Sequence, residues 1–98
     1  MRFDILVCYD VSTDDKEGAR RLRRVAKICT AYGQRVQKSV FECSITSTQY
    51  EQLKRRLLKA MDPKQDSLRF YRLVGGREQC TETYGRDTYV DYEEPLVL

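Results

Sequence analysis

The longest unbroken apolar run in the chain is Ile5-Leu6-Val7-Cys8-Tyr9, and it stops on Asp10. A short run of this kind predicts a buried strand over Phe3 to Tyr9. Helical spacing then takes over. Ala19, Leu22, Val25, Ala26, Cys29 and Tyr32 fall on one face of a helix expected from near Asp14 to just before Gly33. Asp14 with Glu17 reads as its capping pair, Asp15 adds charge that suits a helix N-terminus, and Gly33 supplies the stop. Between Gln34 and Ile45 the pattern alternates like a strand but changes phase. Val36 and Val40 share one parity, while Phe41, Cys43 and Ile45 share the other. One flat strand cannot keep all five on one face, so two short strands joined by a bulge or tight turn are expected there.

Tyr50, Leu53, Leu57 and Met61 make the buried stripe of a second helix from about Ser47 to Met61, which Pro63 ends. Leu68 to Val74 is the next strand. The order β-α-β-β-α-β predicts an α+β fold of the ferredoxin-like type, with a four-stranded antiparallel sheet under two helices, in residues 1–75. Residues 76–98 stand apart as a tail. After the Gly75-Gly76 turn it is polar, then strand-like at 88–92 and 95–98, with no helix of its own expected. Such an extra C-terminal edge strand can cover an open sheet edge in its own chain or in a partner. The second arrangement would make a symmetric homodimer with exchanged tails.

Ninety-eight residues suffice for one such domain. The formal net charge of +3 says little, but its distribution says more: Lys16, Arg20, Arg21, Arg23, Arg24 and Lys27 crowd the first helix, and Lys54, Arg55, Arg56 and Lys59 the second. Arginine suits bidentate phosphate contact, and a grip built on phosphates is sequence-tolerant and weakened by salt. The four cysteines, at 8, 29, 43 and 80, show no C-x-x-C spacing. With no signal-like or membrane-length segment in view, reduced thiols in a cytoplasmic protein are expected. The chain has no histidine, which excludes Ser-His-Asp and Cys-His catalysis. Hydrolysis would have to use carboxylates, metal-bound water, tyrosine or lysine.

Asp10 is the candidate of most interest. An ionisable residue where a core strand reaches water is fixed by the strand and open to ligand. Its alternative role, starting the turn into the first helix, is already filled by Asp14 and Asp15. Tyr9 reads as a packed ring. Ser12 and Thr13 shape the turn. The tyrosines at 84, 89 and 92 fit interface packing better than base stacking.

Tyr9-Asp10 closing the first strand, the Arg24-Val25 pair, and then Gly33, Arg35, Gln37 and Ser39-Val40-Phe41-Glu42 resemble the pattern of the small CRISPR-associated Cas2 proteins. By motif the likeness runs from about residue 3 to 45, and by length and element order it extends over the chain. The resemblance implies a homodimer acting in prokaryotic CRISPR adaptation, placed between copies of the system's integrase subunit and holding double-stranded spacer DNA. It also implies a metal-dependent endonuclease on duplex DNA or single-stranded RNA, with Asp10 as catalytic residue and ligand of Mg2+, for which Mn2+ can substitute. Arg24 and Arg35 lie on the pattern and, with Arg20 and Arg23, are the expected nucleic-acid contacts. Gln37, Ser39 and Phe41 are expected to build the strands and the subunit interface. Set against this is a nucleic-acid-binding or regulatory ferredoxin-like domain outside CRISPR, since the fold alone does not choose a function.

Overall fold

The computed structural model describes residues 1–87, 89 and 90. β1 (Arg2–Asp10) alternates as a half-covered strand should, with Ile5, Val7 and Tyr9 buried and Leu6 and Cys8 only half-buried. It is a central strand. In the order β2-β3-β1-β4 it pairs antiparallel with β3 (Val40–Thr46) on one side and with β4 (Ser67–Arg72) on the other. β2 (Gln34–Gln37) completes the sheet at the far edge. The phase change is resolved as expected. A turn at Lys38-Ser39 separates β2 from β3, and the register slips between Arg35 and Gln37.

α1 (Lys16–Tyr32) and α2 (Ser47–Ala60) cover one face of the sheet. Val25, Ile28 and Cys29 from α1 and Leu53, Leu57 and Ala60 from α2 close over Ile5, Val7, Phe41, Cys43 and Ile45 in one core. Burying a side chain the size of Phe41, Leu53 or Leu57 contributes about 1.5–3 kcal/mol each. Leu22, Ala26 and Tyr32 pack against this core as the spacing suggested, Ile28 joins it, and the half-buried Ala19 lies outside it.

The helix ends correct two expectations. Asp15, rather than Asp14, caps α1, accepting from the Gly18 N–H at 2.8 Å. Asp14 instead accepts from the Ser12 hydroxyl. Gly33 ends α1 in an extended conformation, φ −162°, so it is not there for left-handed freedom. It is there for space, because a Cβ would stand 2.4 Å from both the Cys43 Sγ and the Glu42 carbonyl oxygen. α2 starts with a reciprocal box between Thr46 and Gln49.

The tail brings a third correction. Arg77–Cys80 forms a one-turn helix, α3, where no helix was expected. Gly75 and Gly76, at φ +88° and +94°, turn the chain into it. The expected strand pieces at 88–92 and 95–98 lie, apart from Tyr89 and Val90, outside the described residues. Among the described residues, no helix is long and apolar enough to cross a membrane.

Candidate nucleic-acid and metal site

Asp10 is the last residue of β1, opposite Ser67 of β4. It shares the parity of Leu6 and Cys8, on the sheet face that α1 and α2 leave uncovered. Its side chain is exposed, and among the described residues no hydrogen bond or ion pair engages its carboxylate. The backbone just beyond it is held firmly. Val11 is buried at 8% exposure, and the Ser12 N–H donates to Asp66 Oδ1 at 3.1 Å. Asp66 also accepts from Arg21 Nε at 2.9 Å and from the Asp62 N–H at 2.8 Å. Burial works to raise the Asp66 pKa. The hydrogen bonds from Arg21, Asp62 and Ser12 outweigh it and hold the carboxyl below its ordinary value. Arg21 is therefore occupied within the fold, not displayed for a ligand.

The other arginines divide. Arg23 and Arg24 are exposed, and no hydrogen bond or ion pair engages them among the described residues. Arg20 is exposed and meets Glu17 at 3.2 Å in a solvated pair, which contributes little to stability. Arg35 stands on the opposite face from Asp10. Its guanidinium lies 5.2 Å from the centroid of the Phe41 ring, and its Nη2 reaches the Tyr9 hydroxyl at 3.4 Å. Tyr9 and Phe41 stack with centroids 6.1 Å apart. Tyr9 and Phe41 are thus packed rings, and Arg35 covers their outer side.

A second polar cluster forms on the open face of the sheet. The Arg77 N–H donates to Asp4 Oδ2 at 2.7 Å, and Arg77 Nε is ion-paired with the buried Glu42. The Arg77 guanidinium also lies against the Tyr89 ring. Gln34 receives the Val90 N–H on its amide oxygen and donates its amide nitrogen to the Val90 carbonyl. Sequence reading found neither this cluster nor the Asp66 clasp. Each joins residues more than thirty positions apart, and no local pattern marks such partners.

The family model for CRISPR associated protein Cas2 matches residues 1–80. The chain belongs to the Cas2 family. It is 53% identical over 94 residues to a CRISPR-associated endoribonuclease Cas2 of Moorella thermoacetica, covering 96% of this chain and 98% of that protein. It is 47% identical over 94 residues to a CRISPR-associated endonuclease Cas2 of Halalkalibacterium halodurans, again covering 96% and 98%. The crystal structure of Streptococcus pyogenes Cas2 at pH 6.5 superposes with a TM-score of 0.75 at 50% identity, covering 84% of this chain and 99% of that one. The ferredoxin-like architecture is that of these Cas2 neighbours.

The donor set can be tested against magnesium. Among the described residues, no three His, Cys, Asp or Glu side chains gather where they could hold a metal ion. Asp10 offers an exposed carboxylate at the strand end. Magnesium accepts one or two protein carboxylates and fills its other positions with water and phosphate oxygens. A single exposed carboxylate is compatible with such an ion when water and phosphate oxygens fill its other positions.

Proposed function

We propose that this Cas2-family chain acts in CRISPR adaptation as a homodimeric adaptor. It sits between integrase subunits and grips duplex DNA through Arg20, Arg23, Arg24 and Arg35. A magnesium-dependent endonuclease centred on Asp10 is its secondary, conditional activity. The observation that carries the order of these two roles is the sparse donor set around Asp10. Within the described part of the chain Asp10 belongs to no group of three or more potential metal ligands, whereas the exposed guanidinium groups of Arg23 and Arg24 stand ready for phosphates.

The endonuclease reading is supported by the unengaged Asp10 carboxylate and by relatives that carry endoribonuclease and endonuclease names. Asp10 would hold the ion, with a second chain's Asp10 as its natural complement. A bound ion would supply polarisation of a phosphoryl oxygen and a lowered pKa for its water. The protein's own contribution is a carboxylate fixed at a strand end, with the arginines holding the duplex by its phosphates elsewhere on the surface.

The test uses labelled duplex DNA and single-stranded RNA, with magnesium or manganese, across pH. Asp10→Ala is run beside the wild type, and complex formation with the integrase subunit of the same system is measured in parallel. Cutting that disappears in Asp10→Ala while DNA binding persists supports the nuclease. An integrase complex that forms equally well with either protein supports the adaptor. Failure to join the integrase, with metal-dependent cutting intact, would reverse the order of the two roles.

A further inference from the structure

Asp66 is more elaborately held than a turn requires. Its side chain is fully removed from water. The α2–β4 turn is already closed by the Asp66 N–H on the Asp62 carbonyl and the Asp62 N–H on the Asp66 carboxylate, yet that carboxylate also takes Arg21 from α1 and the Ser12 N–H from the loop after β1. Ser12 is confined on its other side as well. Gly18 of α1 comes so close that a Cβ there would stand 1.9 Å from the Ser12 carbonyl oxygen. Asp66 also immediately precedes Ser67, the residue opposite Asp10 in the ladder. The backbone leaving Asp10 is thus fixed by its strand pairing, by the burial of Val11, and at Ser12 by both a hydrogen bond and a close contact. None of these restraints uses the Asp10 carboxylate itself.

We propose that Arg21 and Asp66 are positioning residues for Asp10. Acting through the Ser12 N–H, they hold the exit of β1 so that the Asp10 carboxylate meets a divalent cation without first being ordered. This rests on the reading of Asp10 as a metal ligand. Packing and hydrogen bonds that fix the element carrying a ligand help pre-set a metal site, and loss of outer support commonly costs metal affinity.

The test is a Mn2+ titration of the 15N-labelled full-length protein, following paramagnetic broadening around Asp10 and hydrogen exchange at Ser12. The proteins compared are wild type, Arg21→Met, Arg21→Lys, Asp66→Asn and a control, Leu57→Val, that loosens the core away from the loop. We expect Arg21→Met and Asp66→Asn to weaken Mn2+ binding about tenfold and to speed exchange at Ser12. Arg21→Lys should recover part of the affinity, and Leu57→Val should leave it unchanged. Unchanged Mn2+ affinity in both variants, with faster Ser12 exchange, would overturn the proposal and leave the clasp a stability element. An equal loss in Leu57→Val would do the same. Absence of broadening around Asp10 in the wild type would overturn the metal reading itself, a result visible before any variant is made. Should Asp66→Asn fail to fold, Arg21→Met decides, because it keeps both backbone donors on Asp66.

Discussion

Arg77 and Tyr89 are stacked, the guanidinium carbon 3.4 Å from the ring centroid, while the same guanidinium is ion-paired with Glu42. The pair ties the segment after β4 back onto the open face of the sheet. Arg77→Ala would leave the nearly buried Glu42 carboxylate without its cation, a change that typically costs about 3 kcal/mol or more. It would also release the segment around Tyr89. The expected outcome is a lower unfolding midpoint in urea together with faster proteolytic cleavage after residue 80. Adding Glu42→Gln should return most of the stability, because the uncompensated charge is gone, but not the protease resistance.

Gly33 tests a different kind of restraint. Its extended backbone would accept any residue, but the space behind it would not. Gly33→Ala must push the Glu42 backbone or the Cys43 side chain away, and overpacking of this kind costs about 1–3 kcal/mol. The variant should unfold at lower urea than wild type. Adding Cys43→Ala should recover only part of the loss, since the Glu42 carbonyl still stands in the way.

The contrast between these sites and the rest of the fold shows what a local pattern can carry. α1, α2, all four strands and the break between β2 and β3 were legible from helical or alternating spacing or, for β1, from an unbroken apolar run; the one-turn α3 was not. Asp10 stands out as a candidate because it ends the longest apolar run, and the structure leaves its carboxylate exposed. The clasp of Asp66 on Arg21 and Ser12 was not, nor was the pairing of Arg77 with Glu42. These partners lie far apart in the chain and are brought together only by the tertiary fold, and Arg21 in sequence looks the same as its neighbours Arg20, Arg23 and Arg24. The cap of α1 was misplaced by one residue, since Asp14 and Asp15 are chemically equivalent until Gly18 shows which one it faces.

Asp66 also predicts how acid unfolds the protein. Its folded pKa is held below the unfolded value of about 3.9. The stability it contributes is therefore fully present above that value and is lost as pH falls through the folded pKa. Urea unfolding measured from pH 7 to pH 2 should show wild type losing stability below about pH 4. Asp66→Asn should be less stable at neutral pH and lose less on acidification. Parallel curves for the two proteins would mean that other carboxylates govern the acid limb.

The thiols should separate by reactivity. Burial pushes Cys29 and Cys43 up to about 12, so almost no thiolate exists at pH 8. Burial raises Cys8 too, with Arg69 working against it. Cys80 is exposed. A chromogenic disulfide reagent at pH 8 should therefore modify Cys80 first and Cys8 more slowly, with Cys29 and Cys43 reacting only after denaturant is added. Rapid modification of Cys43 in the native protein would show that the core opens between α1 and β3.

Salt dependence separates the arginines that grip DNA from those that hold the fold. Each cation that neutralises a phosphate of B-form DNA steepens the fall of binding affinity with salt by about 0.9 in a log–log plot. Arg24 is exposed and unengaged among the described residues. If it contacts a phosphate in each subunit, Arg24→Ala should flatten the slope by about 1 per contacting arginine and weaken unrelated duplexes alike. Arg21→Met removes the same formal charge from the same helix, but that charge already lies on Asp66. It should leave the slope nearly unchanged while lowering thermal stability. An Arg24→Ala slope equal to wild type would take Arg24 out of the DNA contact and leave the grip to Arg20, Arg23 and Arg35. A flattened slope in Arg21→Met would mean that its pairing with Asp66 yields to phosphate when DNA binds.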